Sequence, residues 1–148
     1  MRQIAEFVAV LACSLFAGAA IYINLVEHPA RIECGLEIAV AEFAPSYRRA
    51  TAMQAALAAL GLLCSVVSWL TGAAFWWLIA GALLGLVIPF TLIVIFPVNR
   101  RLLDPALNHR SPEAERLLGR WAALHAVRSV LSGLALLLFL YLIIFGTP

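Results

Sequence analysis

Four long apolar runs constrain this chain more than any other feature. They cover residues 4–26, 47–70, 73–96 and 121–145, and each is close to the ~20 residues that an α-helix needs to cross a bilayer. Charged residues make up 12% of the chain, about half the share of a soluble domain. The sequence therefore predicts one integral membrane domain, residues 1–148, that is all-α and forms a four-helix transmembrane bundle with up-down-up-down topology.

The connections between the runs also have helical patterns. Apolar residues recur near helical spacing over residues 30–44, which predicts a short interfacial helix between helices 1 and 2. We expect Pro45 to end this helix and Ser46 to cap the second transmembrane helix. The pair Ser111-Pro112 predicts the start of a long fourth helix that projects beyond the membrane before it enters the last apolar run.

Small residues and a proline characterise the third run. Gly81 and Gly85 lie four residues apart, a spacing that lets helices approach closely inside a bilayer. Pro89 lies within the run and frees a backbone carbonyl near Gly85, so a kink is expected there. Thr91 is close enough in sequence to satisfy a freed carbonyl or to face a binding site.

Polar residues gather at one end of all four runs. In an alternating bundle, the ends of runs one and three lie beside the starts of runs two and four. The polar layer predicted there contains Asn24, Glu27, His28, Tyr47, Arg48, Arg49, Gln54, Thr91, Asn99, Arg100, Trp121, His125 and Arg128. Ionisable groups inside a membrane are costly and usually functional, so this layer is the candidate site.

Helical spacing indicates that some of these side chains share one face. Trp121, His125 and Arg128 are separated by four and three residues, as side chains on one helical stripe are. An alternative is that the polar residues are interfacial anchors, which explains Tyr47 and the arginines at the run ends. It explains His125 and Arg128 poorly, because apolar residues follow them directly. Arg128 needs a partner at that depth, and Glu27 is the expected one.

The charge distribution predicts an orientation. All ten basic residues are arginine, and eight of them lie in the segments at the polar end. Basic residues stay on the cytoplasmic side, so we expect both termini outside and the polar layer facing the cytoplasm of a bacterial inner membrane. The net charge of +2 gives no reason to expect a nucleic-acid partner. The cysteines, Cys13, Cys34 and Cys64, form no CxxC pair, which argues against a membrane dithiol enzyme.

Several motifs resemble one family of membrane proteins. They are Glu27-His28-Pro29-Ala30-Arg31, Tyr47-Arg48-Arg49-Ala50 with Met53-Gln54, Pro97-Val98-Asn99, and Arg120-Trp121 with His125 and Arg128. This pattern resembles the anthrone oxygenase-like integral membrane family, most of whose members are catalogued as a domain of unknown function. The resemblance implies oxidation of an anthrone to an anthraquinone by molecular oxygen, without flavin or metal.

The residue types are consistent with that chemistry. His125 or His28 can act as the base that removes an acidic C–H proton. Arg128, with Arg48 or Arg49, can stabilise the oxyanion, and Glu27 can orient a histidine or balance an arginine. The expected substrate-binding residues are Trp121, which can stack on an aromatic ring, and Arg48, Arg49, Gln54, Asn24, Asn99 and Thr91.

Two other classes of function stay open at this point. His28 and His125, with or without Glu27, can ligate haem or a transition metal between helices. A small-molecule transporter is the other alternative, although the centres of the runs have no ionisable residue of the kind that transport usually needs. The expected partners are the lipid bilayer and an apolar, aromatic small molecule, and a homo-oligomer is compatible with the sequence.

Overall fold

The computed structural model describes residues 1–146, and throughout that range regular structure is helical. Four long helices account for most of it: α1 (Arg2–Glu33), α2 (Leu36–Leu70), α3 (Trp76–Leu102) and α4 (Pro112–Phe145). Each is long and apolar enough to cross a membrane. The predicted all-α bundle of four transmembrane helices is confirmed, and the protein is an integral membrane protein.

The turns place the helix ends in two groups. Gly35, with φ of 98°, links α1 to α2, and Gly72, with φ of 97°, lies between α2 and α3. Both backbone conformations favour glycine, because residues with a side chain rarely adopt a positive φ. Arg2, Gly72 and Leu142 line one cavity, so the start of α1, the α2–α3 turn and the end of α4 lie together. The opposite end, here called the polar end, contains the ends of α1 and α3 and the starts of α2 and α4.

The start of α2 differs from the prediction. No separate interfacial helix covers residues 30–44; α1 continues to Glu33 and α2 begins at Leu36. Pro45 lies inside α2 and does not end it, and Ser46 is therefore not a helix cap. The buried side chains of Val40 and Phe43 pack in the bundle core, and this tertiary packing holds the first turns of α2 in line despite the proline. In contrast, α4 begins at Pro112 as predicted, capped by Ser111 Oγ, which accepts from Ala114 N–H at 3.2 Å.

Prolines also widen α1 and α3 near the polar end. Ile23–Glu27 and Thr91–Ile95 are π-helical, and each segment ends two residues before a proline, Pro29 or Pro97. A proline has no N–H and its ring clashes with the carbonyl four residues earlier, so the helix is stable there with a wider turn. Each π turn changes the side of the helix on which the following residues lie. Such turns often occur at functional sites.

Helices α2 and α3 pack closely at Gly81 and Gly85, as predicted from their spacing. A Cβ on Gly81 would lie 2.3 Å from Ser65 Cβ, and one on Gly85 would lie 2.8 Å from Leu62 Cδ2. The glycines therefore serve contacts within the chain. The expected irregularity of α3 is also present: regular helix is interrupted at Leu86, and Thr91 Oγ1 donates to Val87 O at 2.6 Å.

Candidate functional site

His125 is held in one orientation by Asn24 near the centre of the bundle. Asn24 Nδ2 donates to the backbone carbonyl of Ala122 at 3.1 Å, which fixes the orientation of the amide. Its Oδ1 can only accept hydrogen bonds. That oxygen lies 2.7 Å from His125 Nδ1 and 2.7 Å from Ser129 Oγ. His125 Nδ1 must therefore carry the hydrogen and donate it, so the neutral ring keeps its lone pair on Nε2.

Aromatic rings pack against the His125 imidazole and restrict its orientation further. The Trp121 ring stacks on His125 with centroids 4.8 Å apart, and the Phe43 ring meets Trp121 edge-on at 5.4 Å. His28 also packs on Trp121, at 5.5 Å, but it does not line the cavity described below. Trp121 therefore holds the ring plane of His125 by stacking on it. The His125 side chain is only 1% exposed.

Arg128 is paired with an amide rather than with an acid. Its Nη2 donates to Gln54 Oε1 at 2.5 Å, and its guanidinium carbon lies 5.4 Å from the centre of the Phe16 ring. The expected pair with Glu27 is wrong. Glu27 instead accepts from Arg31, a residue on the next turn of the same helix.

Arg31 organises a second polar group nearer the polar end. It forms ion pairs with Glu27 and Glu42, and its Nη2 donates to Ser46 Oγ at 3.2 Å. Ser46 Oγ in turn donates to Glu27 at 3.0 Å. The Arg31 side chain is only 5% exposed, whereas Glu27 and Glu42 are 31% and 45% exposed, so the network runs from the interior to the surface and links α1 to the start of α2.

These two groups surround one small enclosed space, here called the central cavity. It is lined by Ile23, Glu27, Arg31, Phe43, Ser46, Tyr47, Ala50, Thr51, Gln54, Asn99, Trp121, His125 and Arg128. Its volume is about 20 Å³, enough for about one water molecule. The cavity therefore suits a molecule of the size of water or dioxygen in this conformation.

Several buried polar atoms at the central cavity have no partner within residues 1–146. They are Gln54 Nε2, Arg128 Nε and both amide atoms of Asn99, whose side chain is only 1% exposed. Buried polar groups in proteins are nearly always satisfied, and an unpaired one costs about 1–3 kcal/mol. Unpaired donors that line a cavity therefore indicate a site for a molecule that accepts hydrogen bonds.

The structure brings together only part of the set of residues expected from the sequence. Asn24, Glu27, Gln54, Asn99, Trp121, His125 and Arg128 lie at or beside the central cavity. Arg48 and Arg49 are exposed; Arg49 lines a cleft on the outer surface instead. Thr91 lines a neighbouring groove between α2 and α3. The cavity's cations are therefore Arg128 and Arg31, and the amides of Gln54 and Asn99 line it, whereas Arg48 and Arg49 do not.

Three residues of the hydrogen-bond networks at the site, Arg31, Ser46 and Ser129, were not predicted as site residues from the sequence. The sequence pattern places Arg31 in a connection and Ser46 at a helix cap, and it predicts no role for Ser129. The only available signal for Arg31 was its four-residue spacing from Glu27, which favours a helical ion pair. No sequence pattern links Ser129 on α4 to Asn24 on α1, because that contact depends on how the helices pack.

The expected alternative of a haem or metal site stays a prediction. Within the part of the chain described, no group of three or more His, Cys, Asp or Glu side chains is arranged to hold a metal ion. His28 and His125 both pack on Trp121, and His125 Nδ1 is engaged with Asn24. An absorption spectrum and a metal analysis of the purified protein test this alternative directly.

Comparison with known proteins identifies the family of this chain. A family profile described as Anthrone oxygenase matches residues 43–138, which is more than half of the chain. The chain belongs to the anthrone oxygenase family. The matched region includes Gln54, Asn99, Trp121, His125 and Arg128, whereas Asn24 and Glu27 precede it. Searches of curated proteins and of solved structures gave no significant match.

Proposed function

We propose that this member of the anthrone oxygenase family is a membrane-embedded oxygenase. Its substrate would be a polycyclic aromatic ketone of the anthrone type, with an activated methylene carbon, and its co-substrate molecular oxygen. The main support is one cavity that combines the oriented base His125 with the unpartnered donors of Gln54, Asn99 and Arg128. Membership in the family supports the choice of substrate class.

The first step needs a base and a partner for a negatively charged oxygen. Removal of a proton from the methylene opposite the ketone gives an anion whose charge lies largely on the ketone oxygen. In the proposed mechanism, the central cavity widens beyond its ~20 Å³ to admit the methylene carbon, and His125 Nε2 takes this proton. Arg128 and the amides of Gln54 and Asn99 donate hydrogen bonds to the charged oxygen, an interaction that is strong in a site shielded from water.

Dioxygen then oxidises the anion. One electron passes from the anion to O2, and the resulting superoxide and carbon radical combine to form a carbon–oxygen bond. The peroxide anion takes back the proton held by His125, and loss of water with the second methylene hydrogen leaves a carbonyl. Overall, the methylene and O2 become a carbonyl and one water, so the electrons lost by carbon equal those gained by oxygen.

The other site residues have supporting roles in this proposal. Asn24 holds the tautomer of His125, and Trp121 holds its ring plane. Glu27 and Ser46 hold Arg31 at the side of the cavity that faces the outer cleft, which they also line. We assign no catalytic role to His28, Arg48 or Arg49.

The test compares two histidines of the same chain. His125→Gln keeps an amide N–H for Asn24 but removes the base, and we expect kcat for anthrone oxidation to fall by about 10²–10⁴-fold. His109→Gln is the matched control, because His109 lies between α3 and α4 and does not line the cavity. Anthraquinone formation is measured in nanodiscs and corrected for spontaneous oxidation. A folded His125→Gln protein with the kcat of the control would exclude this mechanism.

We also propose that the protein resides in a bacterial inner membrane with the polar end on the cytoplasmic side. Eight arginines lie at that end: Arg31, Arg48, Arg49, Arg100, Arg101, Arg110, Arg116 and Arg120. The opposite end has Arg2, which lies next to Glu6. Positively charged residues near helix ends set orientation in this way, whereas acidic residues have little influence.

A further inference from the structure

A groove on the side of the bundle leads to the same polar residues that line the central cavity. It lies between α2 and α3, has a volume of about 80 Å³, and is here called the lateral groove. Most of its lining is apolar, from residues such as Ala55, Ala58, Val87 and Leu92. Its inner end is formed by Thr51, Gln54 and Arg128, all of which also line the central cavity.

The outer end of the lateral groove lies where the surrounding lipid would be. Leu92 is 63% exposed and Ala55 is exposed, and both belong to membrane-spanning helices. An exposed apolar side chain at such a position faces hydrocarbon rather than water. A molecule dissolved in the bilayer can therefore reach the groove sideways, without passing through the polar end.

The inner end supplies hydrogen-bond donors that have no partner. Gln54 Oε1 accepts from Arg128 Nη2, and this pair separates the lateral groove from the central cavity. Gln54 Nε2 and Arg128 Nε remain without a partner within the described residues, although Gln54 is only 2% exposed. An apolar groove that ends in unpaired donors is complementary to a molecule with an apolar body and one accepting oxygen.

We propose that the lateral groove is the subsite through which an apolar aromatic ketone enters from the lipid and in which its leading ring binds. In this entry subsite the ketone oxygen would accept hydrogen bonds from Gln54 and Arg128. Because the Gln54–Arg128 pair lies between the groove and His125, the methylene carbon reaches His125 only after the ring system moves past that pair into the widened central cavity. The groove is smaller than the cavity of about 150 Å³ that binds benzene in an engineered protein, so it encloses only part of the ring system and the rest stays in lipid. This inference rests on the proposed function for the chemical class of the ligand.

Two alanines on neighbouring positions of α2 give a matched test. Ala55 lines the lateral groove, whereas Ala56 is exposed and does not line it. Ala55→Trp fills the groove with an apolar ring, and Ala56→Trp adds the same ring to lipid-facing surface. The probe is benzophenone, an aromatic ketone that inserts into nearby C–H bonds under ultraviolet light. It is added to nanodiscs that contain each variant, and labelled peptides are located by mass spectrometry.

We expect wild type and Ala56→Trp to be labelled around residues 88–92, with anthrone as an effective competitor. Ala55→Trp should reduce this labelling by about tenfold or more and should raise KM for anthrone by a similar factor with little change in kcat. Equal labelling and equal KM in all three proteins would overturn the inference.

The two proposals can fail separately. If the wild-type protein does not oxidise anthrone, yet labelling of the groove is lost only in Ala55→Trp, the subsite stands and the proposed function is wrong. If oxidation is present and both labelling and KM are unaffected by Ala55→Trp, the oxygenase proposal stands and the lateral groove is not its substrate subsite.

Discussion

At the scale of single residues, the site depends on which hydrogen-bond partner each polar side chain finds. Sequence spacing alone identified His125, Arg128, Gln54 and Asn99 as members of one layer. It did not give the pairs: Arg128 bonds to Gln54 rather than to Glu27. The hydrogen-bond pairs could not be predicted from the sequence, because several polar residues on different helices lie at similar depth. Only the rotation of each helix about its axis selects among them.

Asn24 provides the residue-level prediction. Asn24→Leu keeps the side-chain size but removes the acceptor that holds His125 Nδ1–H, so His125 can adopt both tautomers. We expect kcat to fall by about 10²-fold, the lower end of the contribution of a positioned general base. ¹⁵N NMR of labelled His125 should show the Nδ1–H form in wild type and a mixture in the variant.

Ser129→Ala is the control for this experiment. It removes the second donor to Asn24 Oδ1 but leaves the His125 contact, so it should keep the wild-type tautomer and most of the activity. A wild-type spectrum dominated by the Nε2–H tautomer would contradict the assigned role of Asn24, whatever the kinetics.

At the scale of helices, local sequence signals succeeded where nothing tertiary opposed them. Ser111-Pro112 starts α4 as expected, and α3 is irregular near Pro89 as expected. Pro45 was expected to end a helix and does not, because neighbouring residues of α2 are buried against other helices. The π turns before Pro29 and Pro97 follow from the same local chemistry of proline, but whether a helix breaks, kinks or widens depends on its surroundings.

Gly81 provides the element-level prediction. Gly81→Ala places a Cβ 2.3 Å from Ser65 Cβ, so α2 and α3 must move apart. We expect the free energy of unfolding to fall by about 1–3 kcal/mol, the usual effect of overpacking. Gly133→Ala on α4 is the control, because a Cβ there meets nothing within 4 Å. Unfolding in mixed detergent micelles, followed by circular dichroism, should separate the two variants, and equal stability would refute the close approach.

At the scale of the whole molecule, two hydrophobic cores flank the polar layer. Phe16, Leu84 and Phe139 pack in one hydrophobic core, and Phe43, Leu118 and Trp121 pack in another. Arg128 lies beside Phe16, and His125 lies beside Trp121. The polar layer is therefore enclosed by apolar side chains, which strengthens every electrostatic contact within it.

Cys34 provides the prediction for the whole molecule. It is exposed at the polar end, whereas Cys13 is buried and Cys64 is half-buried within the membrane-spanning helices. If the polar end is cytoplasmic, a membrane-impermeant maleimide should label Cys34 only after spheroplasts are permeabilised. Cys34→Ser should abolish this labelling. Labelling in intact spheroplasts would reverse the proposed orientation.

The sequence by itself determined the class of this protein, because the length and apolarity of its four runs leave little alternative to membrane-spanning helices. It also determined the depth of the polar layer, since depth follows from position along a helix. Only the tertiary structure decided which side chains meet: His125 with Asn24, Arg128 with Gln54, and Arg31 with Glu27 and Ser46. These contacts depend on helix rotation and on small-residue packing between helices, which no single helix encodes.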